Sequence, residues 1–411
     1  MRTTTVVKRL LGVTQISVKA VLFEDEALVA KVRPRWRKPR CSGCGKRASR
    51  YDRAGPRRWR HLPYGRLPVF LETDLCRVAC EGCGVRVEAV PWGGPRSGFT
   101  FVFEELVAYL CQVTDKTKVT DLMGISWRTV GRIVERVVST RLDDSRLDGL
   151  LYVGVDDFSY RKYHRYLTVV VDHESRRVVW AAKGRGAKAL GSFFDALGEA
   201  RLGQLSLVSV DMAGGYLKAL AEKAPHVEVV IDRFHVQRLM SDAVDEVRRA
   251  QVRELEGEEA KAVKGTRYVL LKNPWDLSQE EGERLAEVQR NNEPLYRAYL
   301  LKETLAAALD YKQPWRAKQA LKDWLAWASR SKLAPVVRCA RTIRKHFDGI
   351  MAYVEHRITN GVVEGINTRL RMIARRAFGF HSAAALVSLL FLCCGGVELD
   401  PPLPRRLQVP T

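Results

Sequence analysis

The chain has 411 residues, 46% of them hydrophobic, and a formal net charge of +22. At ~150 residues per domain, that length implies two or three domains with real cores. No run is long and apolar enough to span a bilayer and the N-terminus lacks a secretory apolar stretch, so the expectation is a protein that neither crosses a membrane nor is exported.

The charge calls for a polyanionic partner. Nucleic acid ranks first, and an anionic membrane surface second, because no basic amphipathic helix stands out. Nine cysteines, an odd number unevenly placed, read as metal ligands and buried thiols rather than disulfides.

In chain order, Val13–Val32 alternates loosely and reads as a β-hairpin. A basic run follows, with Arg33, Arg35, Arg37, Lys38 and Arg40. Cys41-Ser-Gly-Cys44 and Cys80-Glu-Gly-Cys83 are paired knuckles that supply four thiolates for one tetrahedral zinc. Cys76 is a spare thiol, and the spacing favours Cys80 over it. The gap between the knuckles holds a hairpin, with Leu67–Leu75 as one strand. Arg57, Arg58, Trp59, Arg60 and His61 lie in that gap. Basic residues interleaved with an aromatic suit phosphate contact and stacking, so Arg35, Arg37, Lys38, Arg57, Arg58 and Arg60 are candidate DNA contacts.

Val90–Pro95 reads as a linker and Phe101–Val113 as a helix. Lys118–Met123 is a short helix, Gly124-Ile125 a turn, and Ser126 the N-cap of a second helix, Trp127–Val138. This is a helix-turn-helix pattern. Arg128, Thr129 and Arg132 fall on the exposed face of its second helix, placed to reach a DNA groove.

The apolar run Leu151–Val155 reads as a buried strand ending on Asp156 and Asp157. A second strand covers Tyr166–Val171, after a hairpin end at Arg161, Lys162, His164 and Arg165. Arg176–Ala182 is a third strand, Ala187–Ala200 a helix, and Leu205–Val210 a fourth strand ending on Asp211. After a helix at Tyr216–Ala224, Val227–Ile231 is a fifth strand, ending on Asp232. Carboxylates gathered at one sheet edge repel each other, by ~4 kcal/mol per pair ~4 Å apart at an effective dielectric of ~20. A divalent cation relieves that repulsion, so the pattern points to a metal site. Three strands, a helix, a strand, a helix and a strand is the ribonuclease H-like order.

From Phe234 to about Ala334 the pattern turns helical. Prolines 274, 294 and 314 break it, and Trp275, Trp315, Trp324 and Trp327 are expected to form an aromatic core. His235, at the start of this region, is open between packing and function. After a break at Thr359-Asn360-Gly361, Val362–Phe378 is an amphipathic helix. Its apolar face carries Val363, Ile366, Leu370 and Ile373. Glu364, Asn367, Thr368, Arg371 and Arg375 lie along another face, able to bring a last carboxylate to the acidic edge with arginines set for phosphates. Ala383–Cys394 is a final apolar helix, followed by a loose Pro/Arg-rich tail.

These motifs resemble the DDE transposases of bacterial insertion sequences, specifically the ISL-three family. The resemblance rests on the two Cys-x-Gly-Cys-Gly knuckles, Val87–Trp92, Gly154–Lys162, Val210-Asp-Met212, Val230-Ile-Asp-Arg-Phe-His-Val236 and Asn360-Gly-Val-Val-Glu-Gly-Ile-Asn367. They run in the family's order from about residue 10 to about residue 395. One departure is Asp156-Asp157, where the family usually reads Asp-Glu. The first acid is intact.

The resemblance implies a multidomain α+β chain: a zinc-binding, DNA-binding domain over 1–95, a helix-turn-helix over 96–145, and a ribonuclease H-like core over 146–254. A helical insertion over 255–335 and the core's C-terminal helices over 336–396 would follow, with a tail over 397–411. It implies metal-dependent cleavage and transfer of DNA strands at the element's inverted repeats. The ions would be two Mg²⁺ (or Mn²⁺) on Asp156, Asp211 and Glu364, with Asp232 the alternative second acid. His235 and Arg371 would support the scissile phosphate. The expected setting is the bacterial cytoplasm at the nucleoid, with element ends and target DNA as partners and a homo-oligomer on DNA. A DNA-binding regulator on an inactive scaffold and a nuclease without strand transfer are the competing readings.

Overall fold

The computed structural model describes residues 3–161, 165–358, 361–376 and 382–402. The hairpin end at Lys162 and His164, the break at Thr359-Asn360, the helix end beyond Arg376 and the tail beyond residue 402 lie outside these residues. The described chain divides into two compact units, one up to Asp143 together with the final helix, the other from Asp144 to Ala383. No described helix is long and apolar enough to cross a membrane.

The first unit begins with helix α1 (Thr3–Leu11). Strands β1 (Ile16–Glu24) and β2 (Ala27–Pro34) form the expected antiparallel hairpin. The gap between the knuckles is a long antiparallel ribbon, β3 (Ser49–Tyr64) against β4 (Leu67–Cys80), and β5 (Gly84–Val87) completes the sheet. Sheet order is β1-β2-β4-β3, with β2 parallel to β4. Val29, Ala30, Val69, Leu71 and Trp59 are buried in its core.

Helices α2 (Phe101–Val113), α3 (Lys116–Met123) and α4 (Trp127–Arg141) follow. Asp115 caps α3 by accepting from Lys118 N, and Ser126 caps α4 by accepting from Thr129 N. Between them Gly124 closes α3 at φ 57°, a left-handed conformation that favours glycine. Val130, Ile133, Val134 and Val138 bury one face of α4.

The second unit carries a five-stranded sheet of β6 (Tyr152–Arg161), β7 (Arg165–Asp172), β8 (Val178–Lys183), β9 (Leu207–Val210) and β10 (Glu228–Ile231). Its order is β10-β9-β6-β7-β8. The pairs β6–β7 and β7–β8 are antiparallel, while β6–β9 and β9–β10 are parallel. Helices α5 (Ala187–Leu202) and α6 (Gly214–Lys223) make the crossovers. This is the ribonuclease H-like order read from the sequence.

One expectation is refined. Strand β6 does not end at Asp156 but pairs with β7 on to Arg161. What stops is its parallel pairing with β9, whose last registered pair is Gly154 with Ser209.

The long α7 (Arg233–Glu254) leads into α8 (Gly257–Lys264), α9 (Arg267–Leu271), α10 (Gln279–Asn291), α11 (Glu293–Asp310), α12 (Pro314–Arg330), α13 (Ala334–Lys345) and α14 (Phe347–His356). The aromatic core expected here is not formed. Trp324 alone of the four is buried, its Nε1 donating to Leu301 O at 2.7 Å. Trp275 and Trp315 are 76% and 67% exposed, and Trp327 is at the surface. Trp275 sits in a single 3₁₀ turn and Trp315 in the first turn of α12, where side chains point away from the bundle. Aliphatic residues such as Leu301, Leu305, Leu321, Val336 and Ile343 fill the interior instead.

Helix α15 (Gly361–Arg376) returns to the sheet, and α16 (Ala383–Cys394) ends the fold. The last helix, expected with the catalytic core, packs in the first unit, where Gln112 Nε2 donates to Leu392 O at 2.7 Å.

Candidate active site and metal centres

The four knuckle cysteines converge. One sulfur from each of Cys41, Cys44, Cys80 and Cys83 lies within 4.8 Å of all the others, and Cys44 and Cys80 sulfurs are 3.5 Å apart. Cys76 is buried outside this group. Gly43 N donates to Cys41 Sγ at 3.3 Å, and the amides of Cys44 and Gly43 pull the Cys41 thiol down to about 7. Backbone donors aimed at sulfur favour thiolate, the form that binds zinc. Four soft thiolates in a closed group fit a structural zinc ion.

The candidate DNA contacts of this unit separate into two kinds. Arg57 donates to the carbonyls of Pro95 and Ser97, both at 2.8 Å. Arg58 pairs with Glu72 and Glu24. Arg60 donates to Gly124 O at 2.8 Å, holding the turn of the helix-turn-helix. His61 is 2% exposed, hydrogen-bonded to Thr100 Oγ1 and Leu11 O. These four residues brace the unit. Arg35, Arg37, Lys38, Arg128 and Arg132 are exposed, and Thr129 is half-buried beside its cap Ser126.

In the second unit, sheet order brings the acids to one edge. Ile231 registers with Val210 and Ser209 with Gly154, so Asp232, Asp211 and Asp156 lie at nearly the same height on β10, β9 and β6. Asp156 Oδ1 accepts from Asp157 N at 2.7 Å, and its Oδ2 accepts from Asn367 Nδ2 at 2.6 Å. Burial first, then the charges of Asp157 and Asp211, push its carboxyl up to about 6 against the pull of the Asp157 amide and His235. Asp157 is also raised, by burial and Asp211, but Arg185 Nε holds it at 3.1 Å. Asp211 Oδ1 accepts from Ala213 N at 2.9 Å. Asp232 is 2% exposed, whereas Asp156, Asp211 and Glu364 are half-buried.

Glu364 arrives on α15, which lies across β6 where residue 154 has no side chain. A Cβ on Gly154 would stand 2.4 Å from Val363 Cγ2 and 3.0 Å from His173 Nε2. The glycine is therefore what lets the helix approach. Burial and the charge of Asp232 raise Glu364, while His235 and Arg371 pull it down. His235 thus acts on Asp156, Asp157 and Glu364 alike.

Among the described residues, the acids do not close within 4.8 Å as the thiols do. Carboxylate oxygens are hard donors, the type that suits a divalent cation. Asn367 supports the fit: it is 4% exposed, and its Oδ1 has no hydrogen-bond partner. In the sequence Asn367 read only as one of several polar residues on its helix. Its place three residues after Glu364, one helical turn on, was the available signal.

Comparison with known proteins agrees with this architecture. A family model described as "Transposase", for the DDE domain of ISL3 elements, matches residues 153–390. The chain belongs to the ISL3 family of DDE transposases. The "Helix-turn-helix domain of transposase family ISL3" matches residues 88–138, and the "zinc-finger of transposase IS204/IS1001/IS1096/IS1165" matches residues 37–83. The "Transposase for insertion sequence element IS1557" of Mycobacterium tuberculosis is 39% identical over 443 residues, covering 100% of this chain and 99% of that one. The "Transposase for insertion sequence element IS1001" of Bordetella parapertussis is 30% identical over 345 residues, 83% of this chain and 85% of that one. As an ISL3 transposase the chain is a DNA-binding protein with a zinc ribbon, a helix-turn-helix and a DDE domain.

Proposed function

We propose that this transposase binds the terminal inverted repeats of its insertion sequence, cleaves the DNA at their ends, and joins the freed 3′ ends to target DNA. The observation that carries the reading is that paired β6 and β9 bring Asp156 and Asp211 to one edge, while α15, which carries Glu364, crosses β6 over Gly154.

Two Mg²⁺ ions, or Mn²⁺ in their place, held by Asp156, Asp211 and Glu364 would supply Lewis acidity to the attacking and leaving oxygens. Asn367 orients the Asp156 carboxylate through its 2.6 Å bond. His235 and Arg371 bring positive charge to the edge where a scissile phosphate would lie. Arg185 neutralises Asp157 and so keeps the local negative charge on the metal-facing acids. Asp211 is the preferred second acid because it follows β9, which pairs directly with β6, whereas Asp232 follows β10, one strand further out.

Arg128, Thr129 and Arg132 on α4 read the end sequence in the major groove. Cleavage at two ends calls for a homo-oligomer on paired ends. A regulator on a dead scaffold would gain nothing from holding Asp156 half-desolvated against two neighbouring acids, since such burial destabilises the fold.

The test is incubation with donor DNA carrying the native ends, with and without Mg²⁺, scoring nicked and joined products. Metal-dependent nicks at the ends and joined products are expected. Sequence-specific binding with no cleavage under any divalent ion would overturn the reading in favour of the regulator. Nicks without joining would favour the nuclease.

A further inference from the structure

We propose that a polar cleft in the first unit, between the segment 33–39 and the bulged half of β3, is a docking groove for the sugar-phosphate backbone of DNA. The inference rests on the reading of this protein as a DNA transposase and names the arginines that carry its non-specific grip. The cleft encloses about 650 Å³, and Arg33, Arg37, Arg50 and Arg53 line it together with Trp36 and Thr73.

Backbone irregularity aims two of these arginines. Residues three apart on a regular strand point to opposite faces. In β3, however, Arg50 registers with Val78 and Asp52 with Arg77, so Tyr51 is an extra residue. Arg53 then registers with Cys76, which shares a face with Val78. The bulge therefore turns Arg50 and Arg53 to the same side, as bulges commonly re-aim side chains. The other side carries the ion pair of Asp52 with Arg77, which stacks on Tyr51.

The arginines of the cleft are available as those of the ribbon's far half are not. Among the described residues, no hydrogen bond or ion pair engages the guanidinium of Arg33, Arg37 or Arg53. Arg50 lies beside Cys76 and Glu88. Arg57, Arg58 and Arg60 are all committed within the chain. Two carboxylates, Asp74 and Glu88, also border the cleft. Glu88 is spent on Cys76 N at 2.8 Å, and four guanidiniums outnumber the pair. Pro34 and Pro39 stiffen the opposite wall, and Arg40 stacks over Trp36 at 5.4 Å, so little order is lost on binding. A wall of guanidiniums matches phosphodiester oxygens and carries no base-reading geometry.

The test compares full-length wild type with Arg33→Gln/Arg37→Gln/Arg53→Gln, by anisotropy of labelled duplexes over a salt series. One duplex carries the element end and one is scrambled. Each lost phosphate contact lowers the salt slope by about 0.9, so the triple variant should lose roughly 2–3 units of slope on both duplexes. Arg58→Gln, which removes a committed arginine, should leave the slope unchanged. Zinc content and circular dichroism check folding. If the triple variant fails them, Arg37→Gln and Arg53→Gln alone should each remove about one unit. Wild-type slope in folded variants overturns the groove, as does wild type that binds neither duplex. The expected loss of slope with no preference for the end, or with no Mg²⁺-dependent nicking, would count against the transposase reading and leave the groove standing.

Discussion

The thiols of the first unit come from two knuckles flanking one ribbon, and their sulfurs already lie within 4.8 Å of each other. The acids of the second unit come from β6, β9 and α15 and do not gather so closely among the described residues. The first arrangement is local and closed, and suits an ion that holds a small domain together. The second is assembled from distant segments and stays open, with a half-buried carboxylate pushed up to about 6. The same contrast between holding and reacting predicts opposite responses to perturbation. Removing the zinc ion should cost structure, and removing a carboxylate should cost chemistry.

The largest effect is expected at the thiols. Structural zinc contributes roughly 10–16 kcal/mol in small zinc peptides, coupled to folding. Chelation or Cys80→Ser should unfold the first unit and abolish end binding, while the second unit keeps its own melting transition. Purified protein without stoichiometric zinc, or a single unchanged transition after chelation, would remove one half of the contrast.

Next come the acids. Asp156→Asn, Asp211→Asn and Glu364→Gln should each lower Mg²⁺-dependent nicking on the order of 10³-fold or more, about 4 kcal/mol of barrier, with end binding near normal. Asp232→Asn should lower it about tenfold or less, through the placement of His235 at the start of α7. If Asp211→Asn nicks at the wild-type rate and Asp232→Asn is folded but inactive, the second acid is Asp232.

How far each site could be read in advance follows from the same contrast. Cys41, Cys44, Cys80 and Cys83 were legible because knuckle spacing is a local property. Asp156 and Asp211 were legible as acids closing apolar runs, but their neighbours depend on strand order, which needed the ribonuclease H-like topology. Asn367 was not singled out, because a polar residue on an amphipathic helix has no mark until its partner is known. Arg57, Arg58 and Arg60 have the composition of a phosphate-binding strip. Their commitment to Pro95, Ser97, Glu72, Glu24 and Gly124 depends on folding partners the residues themselves do not announce. Nothing in the residue order signals the bulge at Tyr51. Trp275 and Trp315 failed as core markers because helical periodicity is interrupted by the adjoining prolines, which set them in a 3₁₀ turn and a first helical turn.

Acidification should separate the units at about 3 kcal/mol each. Burial holds His61 down to about 4, against an ordinary value of 6.5. The unfolded chain therefore takes the proton first, and as pH falls from about 6.5 to about 4 the first unit loses roughly 3 kcal/mol through this group. Zinc loss acts in the same range, so the readout is the difference between wild type and His61→Gln, whose pH dependence should be flatter. Asp156 has the opposite sign. Its folded value of about 6 lies above the ordinary 3.8, so its charge destabilises the metal-free fold fully above pH 6. That penalty fades as pH falls toward 3.8. In EDTA at neutral pH, Asp156→Asn should melt higher than wild type by the equivalent of about 3 kcal/mol, and the two should converge near pH 4. A less stable Asp156→Asn at neutral pH would show that the acid is structural.

The smallest effect tests how the open site is assembled. Gly154 sits under α15, and a methyl group there would press on Val363 Cγ2 at 2.4 Å, His173 Nε2 at 3.0 Å and Ser209 Oγ at 3.1 Å. His173 Nε2 and Ser209 Oγ are themselves hydrogen-bonded at 2.8 Å, so neither can yield freely. The helix must move instead, and it carries Glu364 next to Val363 and Asn367 one turn on. Overpacking of this kind typically costs about 1–3 kcal/mol. Gly154→Ala should lower the second unit's melting temperature accordingly and slow nicking by displacing Glu364. Val363→Ala removes the nearest atoms, so Gly154→Ala/Val363→Ala should regain activity more fully than stability, because His173 and Ser209 remain in the way. Wild-type nicking and melting in Gly154→Ala would mean that α15 is seated by some other contact.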